Sequence, residues 1–283
     1  VKATLENIAR KMYYRLPVNL RFTVRRLLFL PLDLFSNQTY NGIKIPPKGL
    51  IFTGQSNFIR DGEYFVELLK KHARLRENHS VLDIGSGMGR LAIPLTAYLK
   101  KDGSYEGFDV VKKATDWCSS TIQNKFPNFH FKHVPLHNDL YVKTGEKAAQ
   151  FKFPYTNNQF DVMAAFSVFT HMLPDEIENY LIESARCLKP GGRVFFTFFY
   201  LDSEIKNDNS DTDFQFRHHF ESYSLMDEKV KSANVALQKN ILEDMFKKAG
   251  LNKIELIPGF WRFGQKEYSH HFFQDIAVFE KPC

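Results

Sequence analysis

Val81-Leu82-Asp83-Ile84-Gly85-Ser86-Gly87-Met88-Gly89-Arg90 decides the fold. A short apolar run ends in alternating glycines, and an amphipathic segment, Gly89–Leu99, follows. That order predicts a buried strand, a tight turn and a helix. Glycines let a backbone approach a ligand closely, and a helix N-terminus offers unpaired N–H groups. Asp109 lies twenty residues beyond Gly89, at the end of the next expected strand. An acid there can accept both hydroxyls of a ribose.

Outward from this stretch the pattern alternates. Strands are expected at Ser80–Ile84, Tyr105–Val111, Phe129–Val134, Phe160–Phe166 and Arg193–Tyr200, with helices at Lys112–Lys125 and Pro174–Leu188 between them. Lys239–Ala249 reads as a further helix capped by Gly250, and Ile254–Ile257 and Phe272–Glu280 as two closing strands. This rhythm predicts an α/β fold, a doubly wound parallel sheet with helices on both faces. Phe195, Phe196, Phe198, Phe199 and Tyr200 read as a buried central strand. Asp202–Asp213 is polar and reads as a loop.

Residues 1–75 are different. Leu5–Leu16 and Leu20–Leu30 read as basic amphipathic helices broken at Pro17, Asn41-Gly42 and Pro46-Pro47 as turns, and Asp61–Arg76 as a helix. The expected organisation is a basic amphipathic extension over 1–75 and a main domain over 76–283, with an insertion at about 201–237. Charge follows the same division. The 283 residues carry a net charge of +6. Residues 1–30 hold seven Lys/Arg against Glu6, and the remainder balances 31 bases with 31 acids. Residues 31–283 are therefore neutral overall, which argues against nucleic acid as their partner. In the extension, arginines alternate with Leu, Phe, Val and Tyr. That interleaving suits peripheral membrane contact through residues 1–30, a lid over the cofactor site, or packing on the core.

The glycines are spaced Gly85-x-Gly87-x-Gly89, and Arg90 stands where a dinucleotide fingerprint places its third glycine. With Asp83 two residues ahead of the first glycine, the stretch resembles motif I of class I S-adenosylmethionine-dependent methyltransferases. Gly107-Phe108-Asp109, Phe160-Asp161-Val162-Met163 with Ser167-Val168-Phe169-Thr170-His171-Met172, and Leu188-Lys189-Pro190-Gly191-Gly192-Arg193 resemble later motifs of that family in matching order, over about residues 78–200. The resemblance implies a Rossmann-like seven-stranded sheet, order 3-2-1-4-5-7-6 with the last strand antiparallel. It implies S-adenosylmethionine as cofactor and methyl transfer to a small-molecule or glycan-precursor acceptor. Asp83 and the turn Gly85 to Gly89, Ser86 and Gly87 included, would cradle its methionine end, and Arg90 would be a further cofactor contact. Asp109 would hold the ribose, Val110 would face the adenine, and Phe166 and Ser167 would line the methyl-donor side. Asn138 or Asp139 would meet the adenine amino group.

Several side chains carry two readings. His171 follows the fourth strand of the domain and suits a general base, or else packs and caps the next helix. His218-His219 and His270-His271 lack the further ligands a metal needs, so no metal is expected. They read as loop residues in the region where the family builds its acceptor pocket. Trp261-Arg262, with Tyr268 and Gln274-Asp275, reads either as a polar-aromatic acceptor site or as hairpin packing. Cys118, Cys187 and Cys283 are odd in number and far apart, which favours a reducing compartment. Only Leu27–Leu32 is apolar behind the N-terminal bases, with no small-residue cleavage site, so secretion is not expected. The expected location is cytoplasmic, at the inner face of the membrane if the extension docks there. Competing readings are a nicotinamide oxidoreductase, which Arg90 and Pro190-Gly191-Gly192 disfavour, a non-catalytic cofactor-binding protein, and a nucleic-acid or protein methyltransferase.

Overall fold

The computed structural model describes residues 18–51, 57–136, 145–202, 214–262 and 272–283. Helix α1 (Val18–Leu34) is followed by a hairpin of β1 (Thr39–Tyr40) and β2 (Ile43–Lys44), then by α2 (Phe58–His72). Asn41 and Gly42 both have positive φ, as a two-residue hairpin requires. The Asn57 side chain accepts the Arg60 amide at 3.2 Å and caps α2, while Asp61 in its first turn and Lys70, Lys71 and His72 in its last oppose its dipole.

The large sheet contains β3 (Ser80–Ile84), β4 (Ser104–Asp109), β5 (Phe129–His133), β6 (Phe160–Ala165) and β7 (Leu188–Phe198). A smaller sheet follows, made of β8 (Tyr200–Leu201), β9 (His218–His219), β10 (Tyr223–Leu225) and β11 (Val235–Gln238). The chain then returns to the large sheet with β12 (Asn252–Ile257) and β13 (Asp275–Glu280). The strands of the large sheet lie in the order β5-β4-β3-β6-β7-β13-β12. Numbered within this sheet alone, that is 3-2-1-4-5-7-6. The last strand, β13, runs antiparallel to both of its neighbours, and β3 to β7 pair in parallel.

Helices α3 (Ala92–Tyr98), α4 (Lys112–Cys118), α5 (Pro174–Cys187) and α6 (Lys239–Lys248) connect these strands. The helix expected over Lys112–Lys125 is α-helical only to Cys118 and continues as a π-helical turn, Ser119–Gln123. Pro174 opens α5, and Glu176 accepts the Leu173 amide at 2.8 Å to close its N-terminus. One core, centred on Ile84, Phe108, Phe153, Met163, Phe196 and Phe246, covers one face of the sheet. A second, with Val81, Ile93, Tyr105, Phe129, Phe195 and Val278, covers the other. The helix α2, assigned by sequence to the extension, adds Phe58, Val66, Leu68 and Leu69 to this second core.

Two sequence expectations are corrected, and the insertion is filled in: β9, β10 and β11 build a sheet on the end of β8. The helix expected over Leu20–Leu30 spans Val18–Leu34 and carries Pro31 inside its last turn. The strand expected from Arg193 begins at Leu188, and its pairing with β6 shifts register between Phe160 and Val162 to absorb the Pro190-Gly191-Gly192 segment. Residues 5–16 and 203–213 lie outside the described residues.

Candidate cofactor and methyl-transfer site

β3 runs into a turn whose three glycines all have left-handed φ: 73° at Gly85, 51° at Gly87 and 76° at Gly89. Each reaches that conformation for a different surrounding. A Cβ on Gly85 would stand 2.5 Å from Val168, and one on Gly89 would stand 2.8 Å from Ile122. A Cβ on Gly87 would meet nothing within 4 Å. Gly85 and Gly89 therefore seat the turn against protein, while the inner face of Gly87 is open.

The turn is strapped to the end of β4. The amides of Gly85 and Ser86 both donate to the Phe108 carbonyl, at 2.9 and 3.0 Å. The Gly87 amide donates to Asp109 Oδ2 at 2.8 Å, and the Val111 amide to Oδ1 at 2.7 Å. Asp109 is buried, and burial raises its pKa against these two hydrogen bonds. Asp83 is buried one strand away and accepts the Tyr105 hydroxyl at 2.7 Å. Burial pushes the Asp83 carboxyl up to about 7, the Tyr105 bond opposes that, and the nearby Asp109 charge adds to it. The buried Ser86 Oγ has no hydrogen-bond partner among the described residues, and Cys118 packs beneath the turn. A cavity of about 340 Å³ adjoins this unit, lined by Met88, Val111 and Ala114 below and by Thr23, Arg26, Leu27 and Leu30 of α1 above.

Beyond β6 the chain turns at Ser167, a non-glycine residue with φ of 59°. The Ser167 amide donates to Thr197 Oγ1 at 2.8 Å. Its hydroxyl donates to Gln274 Oε1 at 3.0 Å, and Thr197 donates to the same oxygen at 2.7 Å. The Phe166 ring stacks on Phe65 of α2 at 3.9 Å, with Phe272 on edge to both. His171 sits in the short turn Phe169–His171, and its Nδ1 donates to the Ser232 carbonyl at 2.8 Å. A carbonyl only accepts, so Nδ1 carries the proton and the basic lone pair lies on Nε2. Burial pushes the pKa of His171 down, opposed by the Ser232 and Ala233 carbonyls.

A methyltransferase domain family model matches residues 59–256, from α2 into β12. The chain belongs to this family of methyltransferase domains. Its curated relatives include the arsenite methyltransferase of Aquipseudomonas alcaligenes, 28% identical over 134 residues, a match taking in 47% of this chain and 36% of that protein. They also include YcgJ of Bacillus subtilis, an uncharacterized methyltransferase, 27% identical over 155 residues, with 53% of this chain and 54% of that one covered. The chain thus spans about a third to a half of the length of these relatives. Among solved structures, the [4+2]-cyclase SpnF superposes on 94% of this chain and 95% of its own with a TM-score of 0.55 and 15% identity, a likeness of fold.

The methyltransferase family uses S-adenosylmethionine, and the cradle fits it. The open face of Gly87, the unpartnered Ser86 Oγ and the buried Asp109 carboxylate occupy one strand-end crevice of the open sheet. Val110 is half-buried between the two cores. The other candidate residues are placed as follows. The Arg90 guanidinium lies over the Phe58 ring and 4.0 Å from Asp61, beside α2. Trp261 Nε1 donates to Asp275 Oδ2 at 2.9 Å, and Arg262 Nε donates to Oδ1 at 2.6 Å. The same carboxylate, 0% exposed, also accepts the amides of Gly259 and Tyr200 and Arg262 Nη2. This is a structural clamp, and Trp261 and Arg262 are buried within it. His219 meets Ser224 of β10 at 3.0 Å within the smaller sheet, and His218 meets Glu228, in the loop between β10 and β11, at 3.2 Å. Asn138, Asp139, Tyr268, His270 and His271 lie outside the described residues.

Three contributors escaped sequence reading: Tyr105, Thr197 and Phe65. Thr197 had a signal, as the one polar residue inside Phe195–Tyr200. A hydroxyl there has to find a buried partner.

Proposed function

We propose that this protein transfers the methyl group of S-adenosylmethionine to a small-molecule or glycan-precursor acceptor. The observation that carries the reading is the Gly87–Asp109 bond, which makes the glycine turn and the ribose acid one preorganised unit. The cofactor supplies a sulfonium-bound methyl electrophile. In this reading the Gly85–Gly89 turn holds its methionine end, Asp83 faces the amino group, and Asp109 accepts from the ribose hydroxyls. Alignment and exclusion of water then supply most of the rate, on the order of 7–11 kcal/mol for well-oriented reactants. Phe65, Phe166 and Phe272 form an aromatic wall beside the polar trio Ser167, Thr197 and Gln274, a combination suited to a compact acceptor with one polar end. His171, neutral with its lone pair on Nε2, takes the proton of an alcohol-like acceptor.

Arsenite is not favoured as that acceptor, although relatives carry it in their names. Trivalent arsenic seeks thiolates. Here Cys118 and Cys187 are buried and free, and Cys283 lies against Gly191, away from the glycine turn. The neutral charge of residues 31–283 supports a small acceptor over a nucleic acid. Titration with S-adenosylhomocysteine, followed by transfer of labelled methyl to panels of sugar nucleotides, alcohols, amines and thiols, tests the proposal. Failure to bind the cofactor product overturns it. Tight binding with no turnover on any panel favours a cofactor-binding protein of another kind, because fold alone does not fix the reaction.

A further inference from the structure

We propose that the outward face of α1 seats this protein on an anionic lipid bilayer while its inner face keeps roofing the cavity beside Asp109. Twelve large apolar side chains are exposed among the described residues, and seven of them lie between Leu20 and Phe35. They are not spread at random around the helix. Thr23, Arg26, Leu27 and Leu30, at helical i, i+3, i+4, i+7 spacing, line the cavity. Leu20, Leu28 and Leu32 recur every four or eight residues along another stripe, and Phe35 follows the helix end. Leu28 is 70% exposed and Phe35 87% exposed. A helix of this kind buries its apolar stripe in a membrane interface and lies in the plane of the bilayer. The 17 residues of α1 fit that placement, since no described helix is long and apolar enough to cross a membrane.

Charge selects the occupant. The whole excess of +6 resides in residues 1–30, the segment that includes most of α1, and no acid occurs between Val18 and Leu32. An anionic headgroup layer attracts this basic segment. A second copy of the chain would bring the same positive charge to the same face, and a nucleic acid offers nothing to Leu28, Leu32 and Phe35. The helix is also held in place for the task. Asp33 accepts the amides of Lys48 and Gly49 at 2.7 and 2.9 Å, and a Cβ on Gly49 would press to 3.0 Å from the Arg26 backbone.

The test is co-sedimentation of the full chain with vesicles of phosphatidylcholine alone and of phosphatidylcholine mixed with phosphatidylglycerol. Binding is expected to the mixed vesicles, to fall with added salt, and to drop about tenfold or more in the Leu28→Ser/Leu32→Ser/Phe35→Ser variant. None of these three lines the cavity, so the variant keeps its thermal midpoint and its affinity for S-adenosylhomocysteine. A wild-type chain that stays in the supernatant with mixed vesicles overturns the proposal. So does equal binding to neutral vesicles, or binding that the triple variant retains. Light scattering that shows a dimer dissolved by the same three substitutions would assign the face to a second copy instead.

Discussion

The amide of Gly87 and the carboxylate of Asp109 are joined across two strands by a 2.8 Å hydrogen bond. Substituting either partner should loosen the other. Asp109→Asn is expected to weaken S-adenosylhomocysteine binding by about 1–3 kcal/mol, the range of a hydrogen bond to a charged group. Gly87→Ala is expected to fold with a loss of about 1–2 kcal/mol for its left-handed φ, yet to bind the ligand far more weakly because the new Cβ fills the open face. Gly85→Ala is different, since its Cβ would collide with Val168, and it should lose stability first. Calorimetry paired with thermal melts separates the three. Equal affinity in Gly87→Ala and wild type would remove the turn from the cofactor site.

Asp83 gives a pH signature. Its folded pKa, about 7, exceeds its unfolded one, so the native state holds a proton that the unfolded chain has lost. The unliganded domain should therefore lose stability as pH rises from the ordinary carboxylate range to about 7. A cationic amino group beside Asp83 favours the ionised form. Ligand affinity should then rise through the upper part of that window, with proton release visible as a buffer-dependent binding enthalpy. Tyr105→Phe removes the hydrogen bond that stabilises the carboxylate and should move this rise to higher pH. A flat affinity profile would separate Asp83 from the cofactor.

His171→Gln is expected to retain cofactor affinity and to lower methyl transfer to an alcohol-like acceptor by about 10²–10⁴-fold. Because burial lowers its pKa, the acid limb of the kcat/KM profile should fall below the ordinary histidine range. A variant that loses thermal stability with unchanged kinetics would make His171 only a tie to the Ser232 carbonyl.

Asp275→Asn should destabilise the fold by about 1–3 kcal/mol, because it removes the carboxylate that accepts Arg262 Nε and Nη2 and leaves Asp202, 3.2 Å from Nη1, as the remaining counter-charge. Thermal or urea unfolding measures this directly. A shift under about 1 kcal/mol would mean that the donors around Asp275 are satisfied by other means.

The seven-stranded sheet was legible because β3, β6 and β7 contain apolar runs and β5 alternates apolar with polar residues. The turn Gly85–Gly89 and Asp109 were legible because spacing along one chain sets their geometry. Arg90 was not. Gly62 brings the α2 backbone so close that a Cβ there would lie 2.1 Å from the Arg90 carbonyl, and this crossing draws Arg90 toward Asp61 and Phe58. Trp261 and Arg262 carry the residue types of a polar binding site as well as of hairpin packing, and their bonds to the fully buried Asp275 show the packing role. The smaller sheet hid because β8 to β11 are two to four residues long, and two of them, His218-His219 and Tyr223–Leu225, lack a clear alternation.

The Asp275 clamp also bears on how such a chain can diversify. It joins the start of β13, the turn at Gly259 and the exit from β7, which is the doorway of the 201–237 segment. Changes of length or composition beyond that doorway leave the hinge posts in place, so the donor crevice tolerates new acceptor-side architecture. A transplant of this segment, cut just after Asp202 and rejoined before Val235, should keep its host's cofactor affinity while changing which molecules are methylated.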